Sequence, residues 1–272
     1  MSVIAVIPAR YGSSRYPGKP LLKATGKYLI EHVVDQVRQA RQVQEVIVAT
    51  DDQRILHAVQ SFGAKAVLTS TTHCSGTDRI AEVAGRPEFA HYQYFVNVQG
   101  DEPEIPPQTI DDLARLISSP AVAKADMAPG LPPPEMVTAA VRITDPAAIN
   151  NPNVVKVVVD ALGRALYFSR SAIPYHRVDG AAAPAYDAAM VYRQHLGIYA
   201  YRRDFLLRLA GHPPCPLEEW EKLEQLRALF MGANILVHDV PCAPHGIDTP
   251  ADYAAFIQRY GEKCQARMAL PT

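Results

Sequence analysis

Apolar positions along the first half of the chain change period at regular intervals. Residues 3–7 form a continuous apolar run of strand length, after which Leu29, Ile30, Val33, Val34 and Val37 recur at helical spacing. Residues 45–50 repeat the first pattern with β-branched side chains, and Ile55, Leu56, Val59 and Phe62 repeat the second. Residues 64–68 and 94–98 read as further strands, each with a helical stretch after it. Strands alternating with helices predict a largely parallel sheet covered by helices, with ligands received at the carboxyl ends of its strands.

The second half is patterned differently. Residues 118–135 carry Pro120, Pro129, Pro132, Pro133 and Pro134, too many for a helix interior or a central strand, and read as a surface excursion. Strand-like runs follow at 137–143, 154–160, 165–169 and 196–201 without helical crossovers, so the sheet is expected to become mixed. Spacing then predicts one helix over 217–231, an inner strand at 235–240 and a closing helix at 249–265. Thr249 is its expected N-cap and Pro250 its first helical residue. The alanine-rich stretch 178–191 reads as free to vary.

Composition narrows the class. With 272 residues, 48% hydrophobic and 20% charged, the chain fills a core without disulfides or a structural metal. At about 150 residues per domain it makes one large domain or two sharing a sheet. The formal net charge of −1 excludes a dedicated nucleic-acid binder, whose affinity comes from neutralising phosphates. That near-zero sum hides segregation: residues 8–27 hold five bases and no acid, residues 99–112 five acids and no base. The four cysteines make no C-x-x-C pair, which removes the spacing signal for zinc or thioredoxin-like chemistry. Residues 3–7 are too short for a secretory signal and no run approaches the ~18 apolar residues of a membrane span. A cytoplasmic setting without membrane insertion is expected.

Candidate chemistry sits at the strand ends. Pro8-Ala9-Arg10-Tyr11-Gly12-Ser13-Ser14-Arg15-Tyr16-Pro17-Gly18-Lys19-Pro20 follows the first strand. It combines small residues, which let backbone N–H groups approach an anion, with three fixed positive charges, the needs of a triphosphate. It is not a Walker A loop, because the glycine spacing is one residue too long and Pro20 replaces the required Ser or Thr. A solvated basic loop is the plainer reading. Asp101 ends the strong strand at 94–98 and is the natural magnesium ligand; a turn or cap is its alternative. Asp248, in Gly246-Ile247-Asp248-Thr249-Pro250, also lies between a strand and a helix.

These stretches carry a resemblance. The first loop, with Ala49-Thr50-Asp51, His73-x-Ser75-Gly76-Thr77-Asp78-Arg79 and Asn97-Val98-Gln99-Gly100-Asp101-Glu102-Pro103, resembles the 3-deoxy-manno-octulosonate cytidylyltransferase family, the CMP-KDO synthetases. The likeness continues through Asn151-Pro152-Asn153-Val154-Val155-Lys156, Leu166-Tyr167-Phe168-Ser169-Arg170-Ser171, His195-Leu196-Gly197-Ile198-Tyr199 and Pro216-Leu217-Glu218-x-x-Glu221-x-Leu223-Glu224-Gln225. Tyr16, where leucine is common, His245, and the 118–135 segment depart from the family pattern.

The resemblance implies a Rossmann-like nucleotide-diphospho-sugar transferase fold: a central, mostly parallel mixed sheet with helices on both faces and a smaller mixed β subdomain. It implies a single domain over 1–272, with a nucleotide-binding half at about 1–117, a sugar-binding and dimerisation half at about 136–233, and 234–272 returning to the core. It implies transfer of CMP from CTP to KDO with Mg²⁺, in a homodimer, for lipopolysaccharide synthesis. Arg10, Ser13 and Lys19 would hold the phosphates, Ser75, Gly76, Thr77, Arg79 and Gln99 the cytidine, and Asp101 and Asp248 the Mg²⁺, with Lys19, Asp101 and Asp248 catalytic. Arg170, His195, Tyr199, Glu218 and Gln225 would receive the sugar acid. Glu218 and Gln225 would then share one face of the 217–231 helix, two turns apart. His195 as a core histidine and Tyr199 as a packed strand aromatic are the structural alternatives. Among functions, the rivals are a cytidylyltransferase for 8-amino-KDO or a sialic acid, and a nucleotide-binding regulator without turnover.

Overall fold

The computed structural model describes residues 2–12, 16–118, 133–177 and 191–268. Ser13, most of the proline-rich segment (119–132) and most of the alanine-rich stretch (178–190) lie outside the described residues. The chain divides into two compact units. The first comprises Ser2–His91, Asn97–Asp111 and Pro244–Thr272; the second comprises Tyr92–Val96 and Asp112–Ala243.

In the first unit, β1 (Val3–Ala9), β2 (Glu45–Thr50) and β3 (Lys65–Leu68) pair in parallel, with Val6 opposite Ile47 and Ile47 opposite Lys65. Helices Leu29–Val37, Gln53–Ser61 and Gly76–Gly85 follow these strands in turn, as the alternation predicts. Residues 3–7 are all buried, which explains a continuous apolar run in place of alternation: a parallel strand is covered on both faces. Two of the helices start at side-chain caps, Asp52 accepting the Arg54 N–H and Ser75 the Asp78 N–H. The closing helix, Pro250–Met268, begins where the sequence places it. Thr249 Oγ1 accepts the Asp252 N–H at 3.2 Å and the Asp252 carboxylate accepts the Thr249 N–H at 2.8 Å, a reciprocal capping box. Leu29, Ile247, Tyr253 and Phe256 form a buried cluster on which Tyr16 also packs, so the tyrosine at that departure from the family pattern has a core to join.

The second unit is built from β4 (Tyr94–Asn97, whose last residue belongs to the first unit), β5 (Met136–Arg142), β6 (Lys156–Val159), β7 (Ala165–Ser169), β8 (Arg193–Arg202) and β9 (Ile235–Asp239). Its strands run in the order β4-β8-β5-β9. The β5–β8 pair is antiparallel and the β5–β9 pair parallel, while β6 pairs antiparallel with β7 and β8. The architecture is thus the expected α/β class, parallel in the first unit and mixed in the second. Two helices escaped the apolar pattern. Pro146–Asn150 buries no residue and so has no stripe to detect, whereas Arg203–Gly211 follows β8 without a break and buries Phe205, Leu206 and Leu209.

The helix expected over 217–231 is corrected. Two short helices, Pro216–Glu221 and Gln225–Phe230, replace it, with Lys222 between them in the left-handed region at φ 55°. The cause is tertiary. Arg170 Nε donates to the Glu221 carbonyl at 2.7 Å, and the Glu221 carboxylate accepts from Ser169 Oγ at 2.6 Å and the Arg170 N–H at 2.9 Å. A guanidinium thus takes a carbonyl at the end of the first helix, and the chain turns there despite favourable spacing.

Candidate active site

The loop after β1 turns back at Gly18, whose N–H donates to the Tyr11 carbonyl at 2.9 Å. Gly18 sits at φ 71°, a conformation open to glycine at little cost. It starts the short 3₁₀ turn Lys19–Leu21, which buries Lys19. Lys19 Nζ then lies 2.7 Å from Asp101 Oδ2 and 3.6 Å from Asp248 Oδ1, and donates to the Ile247 carbonyl at 2.5 Å. The Ile247 N–H in turn donates to the Asp101 carbonyl at 2.9 Å. Residues separated by 82 and 228 positions therefore meet through both backbone and side chain, with fully buried Ile247 fixing the turn that presents Asp248. Gly100 is needed for the approach: a Cβ there would stand 2.8 Å from the Pro8 carbonyl oxygen.

The other nucleotide candidates divide. Ser75 and Gly76 open the Gly76–Gly85 helix, and a Cβ on Gly76 would stand 3.3 Å from Pro8 Cγ, so this helix start abuts the end of β1. Thr77 is buried, Gln99 half-buried and Arg10 exposed. Arg79 is turned inward: it is 3% exposed, with Nη2 2.7 Å from Asp51 and Nη1 donating to Thr69 Oγ1 at 2.5 Å. Its charge is neutralised by Asp51, a partner that sequence spacing did not reveal. It ties the end of β2 to the segment after β3 and is not presented as a nucleotide ligand. His245 is exposed.

The acidic loop holds a residue the sequence reading passed over. Glu102 is pushed up to about 8, by burial first and by the charge of Asp101 second, and its Oε2 has no hydrogen-bond partner. Burial thus favours its protonated form at neutral pH.

The second unit gathers the sugar-acid candidates around His195. The ring is buried and pushed down to about 3 by desolvation, hence neutral. Its Nε2 lies 3.0 Å from Thr138 Oγ1 and its Nδ1 3.4 Å from Gln225 Nε2, while Tyr199 Oη donates to Gln225 Oε1 at 3.3 Å. His195, Tyr199 and Gln225 thus form one cluster, with Phe168 edge-on to the imidazole at 4.9 Å.

Glu218 and Arg170 are placed otherwise than expected. Both Glu218 oxygens bind Arg227, at 2.5 and 2.7 Å, and one also accepts the Cys215 N–H at 3.4 Å. The side chains are 10% and 9% exposed, so Glu218 forms an internal ion pair and a helix cap instead of sharing a face with Gln225. Arg170 spreads its donors over the carbonyls of Glu221, Pro152 and Lys222. Lys156, quoted only as a motif residue, is buried with Nζ in a cage of the Asn151, Val154 and Arg170 carbonyls at 2.6–2.9 Å, which fixes the segment that carries Arg170. A basic residue inside a β-branched run was the one signal of a buried charge.

A parallel strand–helix unit whose strand-end loops bring one lysine and two carboxylates together suits the phosphates of a nucleotide, and the relatives make the class that of a nucleotidyltransferase. The cytidylyltransferase family profile matches residues 4–235. Curated relatives named 3-deoxy-manno-octulosonate cytidylyltransferase include one from Idiomarina loihiensis, 49% identical over 93% of this chain and 96% of the relative. Another from Geobacter sulfurreducens is 44% identical over 95% and 99%. Among solved structures, a CMP:2-keto-3-deoxy-manno-octonic acid synthetase complexed with CTP superposes with a TM-score of 0.82 at 41% identity, covering 97% of this chain and 100% of that one. A cytidylyltransferase from Leptospira borgpetersenii, at 14% identity and a TM-score of 0.56 over 100% and 98%, shares the fold. The chain belongs to the 3-deoxy-manno-octulosonate cytidylyltransferase family.

Proposed function

We propose that this chain transfers CMP from CTP to the 2-hydroxyl of KDO, giving CMP-KDO and pyrophosphate. The convergence of Asp101 and Asp248 on the Lys19 ammonium beside the strand-one loop carries the reading. CTP is received by the first unit, with Arg10 and Lys19 against the phosphates and the start of the Gly76–Gly85 helix and Gln99 toward the cytidine. Lys19, buried and held by a carbonyl and a carboxylate, is a fixed positive charge where negative charge develops on the phosphates. KDO is received by the second unit at Tyr199, Gln225 and neutral His195, whose donors and acceptors suit hydroxyl groups. Positioning and charge neutralisation are the protein's main tasks in such a displacement.

Asp101 and Asp248 fit Mg²⁺. No cluster of three or more His, Cys, Asp or Glu capable of holding a metal occurs among the described residues, which speaks against an all-protein cage. Two carboxylates already arranged about one cation are the usual protein share when phosphates supply the remaining oxygens. When bound, Mg²⁺ neutralises phosphate charge and acidifies the attacking hydroxyl.

We extend the proposal to a cytoplasmic homodimer acting in lipopolysaccharide synthesis. No helix among the described residues is long and apolar enough to cross a membrane. Trp220, 90% exposed, with Phe230 and Leu217 also exposed, offers apolar surface that a second copy would cover.

Pyrophosphate release across four nucleotides and several keto sugar acids, with and without Mg²⁺, tests the reading. Turnover confined to CTP, KDO and Mg²⁺ is expected. Release with 8-amino-KDO or a sialic acid but not KDO would overturn the substrate, and silence with every pair would favour the regulator.

A further inference from the structure

We propose that Thr138 is a positioning residue: it fixes which ring nitrogen of His195 carries the proton and thereby sets the donor and acceptor polarity of Gln225 and Tyr199. This rests on the reading that the His195 cluster receives the sugar acid.

Thr138 is fully buried on β5, where the pairing with β8 slips: Thr138 faces Tyr199, and Ala139 faces Leu196. At that irregularity its Oγ1 has three polar neighbours, the Ile198 carbonyl at 2.8 Å, the Leu196 carbonyl at 3.2 Å and His195 Nε2 at 3.0 Å. A hydroxyl has one hydrogen to donate, and a carbonyl oxygen can only accept. Two carbonyls thus compete for the single Thr138 proton, and the hydroxyl is left as an acceptor toward the imidazole. Nε2 must then be the N–H of the neutral ring.

Three directions follow from that proton. Nδ1 is bare, so it accepts from the Gln225 amide nitrogen 3.4 Å away. This turns Gln225 Oε1 to Tyr199, whose hydroxyl donates to it at 3.3 Å. Each bond dictates the next, so one threonine at the base of the chain orients an amide and a phenol at its other end. Burial keeps the ring neutral at neutral pH, which leaves tautomer exchange open, and Thr138 closes it. If the proton moved to Nδ1, Gln225 would have to reverse its amide. A ligand hydroxyl that met a donor would then meet an acceptor, and discrimination by buried hydrogen bonds depends on that sign.

Thr138→Val keeps the shape and deletes the oxygen; Thr138→Ser restores it. The two variants and the parent protein, ¹⁵N-labelled at histidine, are compared by long-range ¹H–¹⁵N correlation, whose pattern distinguishes the tautomers; His195→Asn identifies the signal. The parent and Thr138→Ser are expected to show His195 protonated at Nε2, and Thr138→Val to lose that single form. KM for KDO is expected to rise about tenfold in Thr138→Val, the scale of one hydrogen bond, with KM for CTP unchanged and Ser restoring the parent value. An Nδ1-protonated ring in the parent protein overturns the proposal without any variant having to fold, as does Thr138→Val with tautomer and KM unmoved. A shifted tautomer with KM for KDO unchanged leaves Thr138 in its role and overturns the sugar-acid reading of the cluster.

Discussion

In the first unit charge meets charge: Lys19 stands between Asp101 and Asp248, Arg79 is paired with Asp51, and Glu104 with Arg259 and Lys263. In the second unit the corresponding polar centre, Thr138-His195-Gln225-Tyr199, is uncharged, and its information lies in the direction of each hydrogen bond. The unit's buried charges, Glu218 with Arg227 and Lys156 with its carbonyls, brace the surrounding turns. The difference matches the two ligands proposed. A triphosphate is gripped by opposite charge and metal with little regard to direction, whereas a polyhydroxy acid is told from its analogues by which group donates and which accepts.

The comparison breaks most easily at Asp101. Asp101→Asn is expected to lower kcat about a thousandfold, at the upper end for loss of one preorganised electrostatic group, while calorimetry still detects CTP binding; full activity would remove Asp101 from the proposed Mg²⁺ ligands. Next comes Arg227→Met in the second unit. It leaves Glu218 buried without a counter-charge and should cost about 3 kcal/mol in urea unfolding. A loss below about 1 kcal/mol would show that the pair does not brace the Pro216–Glu221 helix.

Acid should act on both units through buried neutral histidines. His195 is pushed down to about 3 by burial, and His32, in the first unit, to about 4 by burial and then by Lys27. The unfolded chain takes up these protons near pH 6.5 and the folded chain does not, so stability rises with pH between the two values. The contribution is complete above about pH 6.5 and is lost as pH falls through about 4 for His32 and about 3 for His195. Unfolding free energy should therefore fall by about 1.4 kcal/mol per pH unit for each histidine within its window. Glu102, pushed up to about 8, opposes them, its share of stability falling as pH rises between about 4.5 and 8. The check is therefore a difference between proteins: His32→Asn should flatten the profile between pH 6 and 4.5 by one histidine's share, and a profile that the substitution leaves unchanged would contradict the His32 assignment. The smallest effect belongs to Thr249→Ala, which deletes one half of the capping box beside Asp248 and should cost about 1 kcal/mol in unfolding.

Legibility in the sequence followed the same division. Strand β2 and the start of the closing helix fall where the apolar period and Pro250 put them, and the loop after β1 stood out in the sequence through its clustered basic and small residues. Asp101 and Asp248 could be read as partners because each ends a strand-to-helix turn. By contrast, nothing in the spacing of Glu218 and Gln225 showed that the helix between them stops at Glu221. The stop depends on Arg170, 51 positions away. Arg79 read as a ligand because its motif placed it near one, yet Asp51 holds it inside.

The sequence by itself determined the periodic elements, the parallel half of the fold and the polar loops at its strand ends, because these depend on residues a few positions apart. Only the tertiary structure decided the inward turn of Arg79, the broken helix at Lys222, the Glu218–Arg227 pair and the proton position on His195. A buried donor must find an acceptor somewhere, and which acceptor it finds is settled by strand register and packing over tens of residues, where sequence spacing carries no direction.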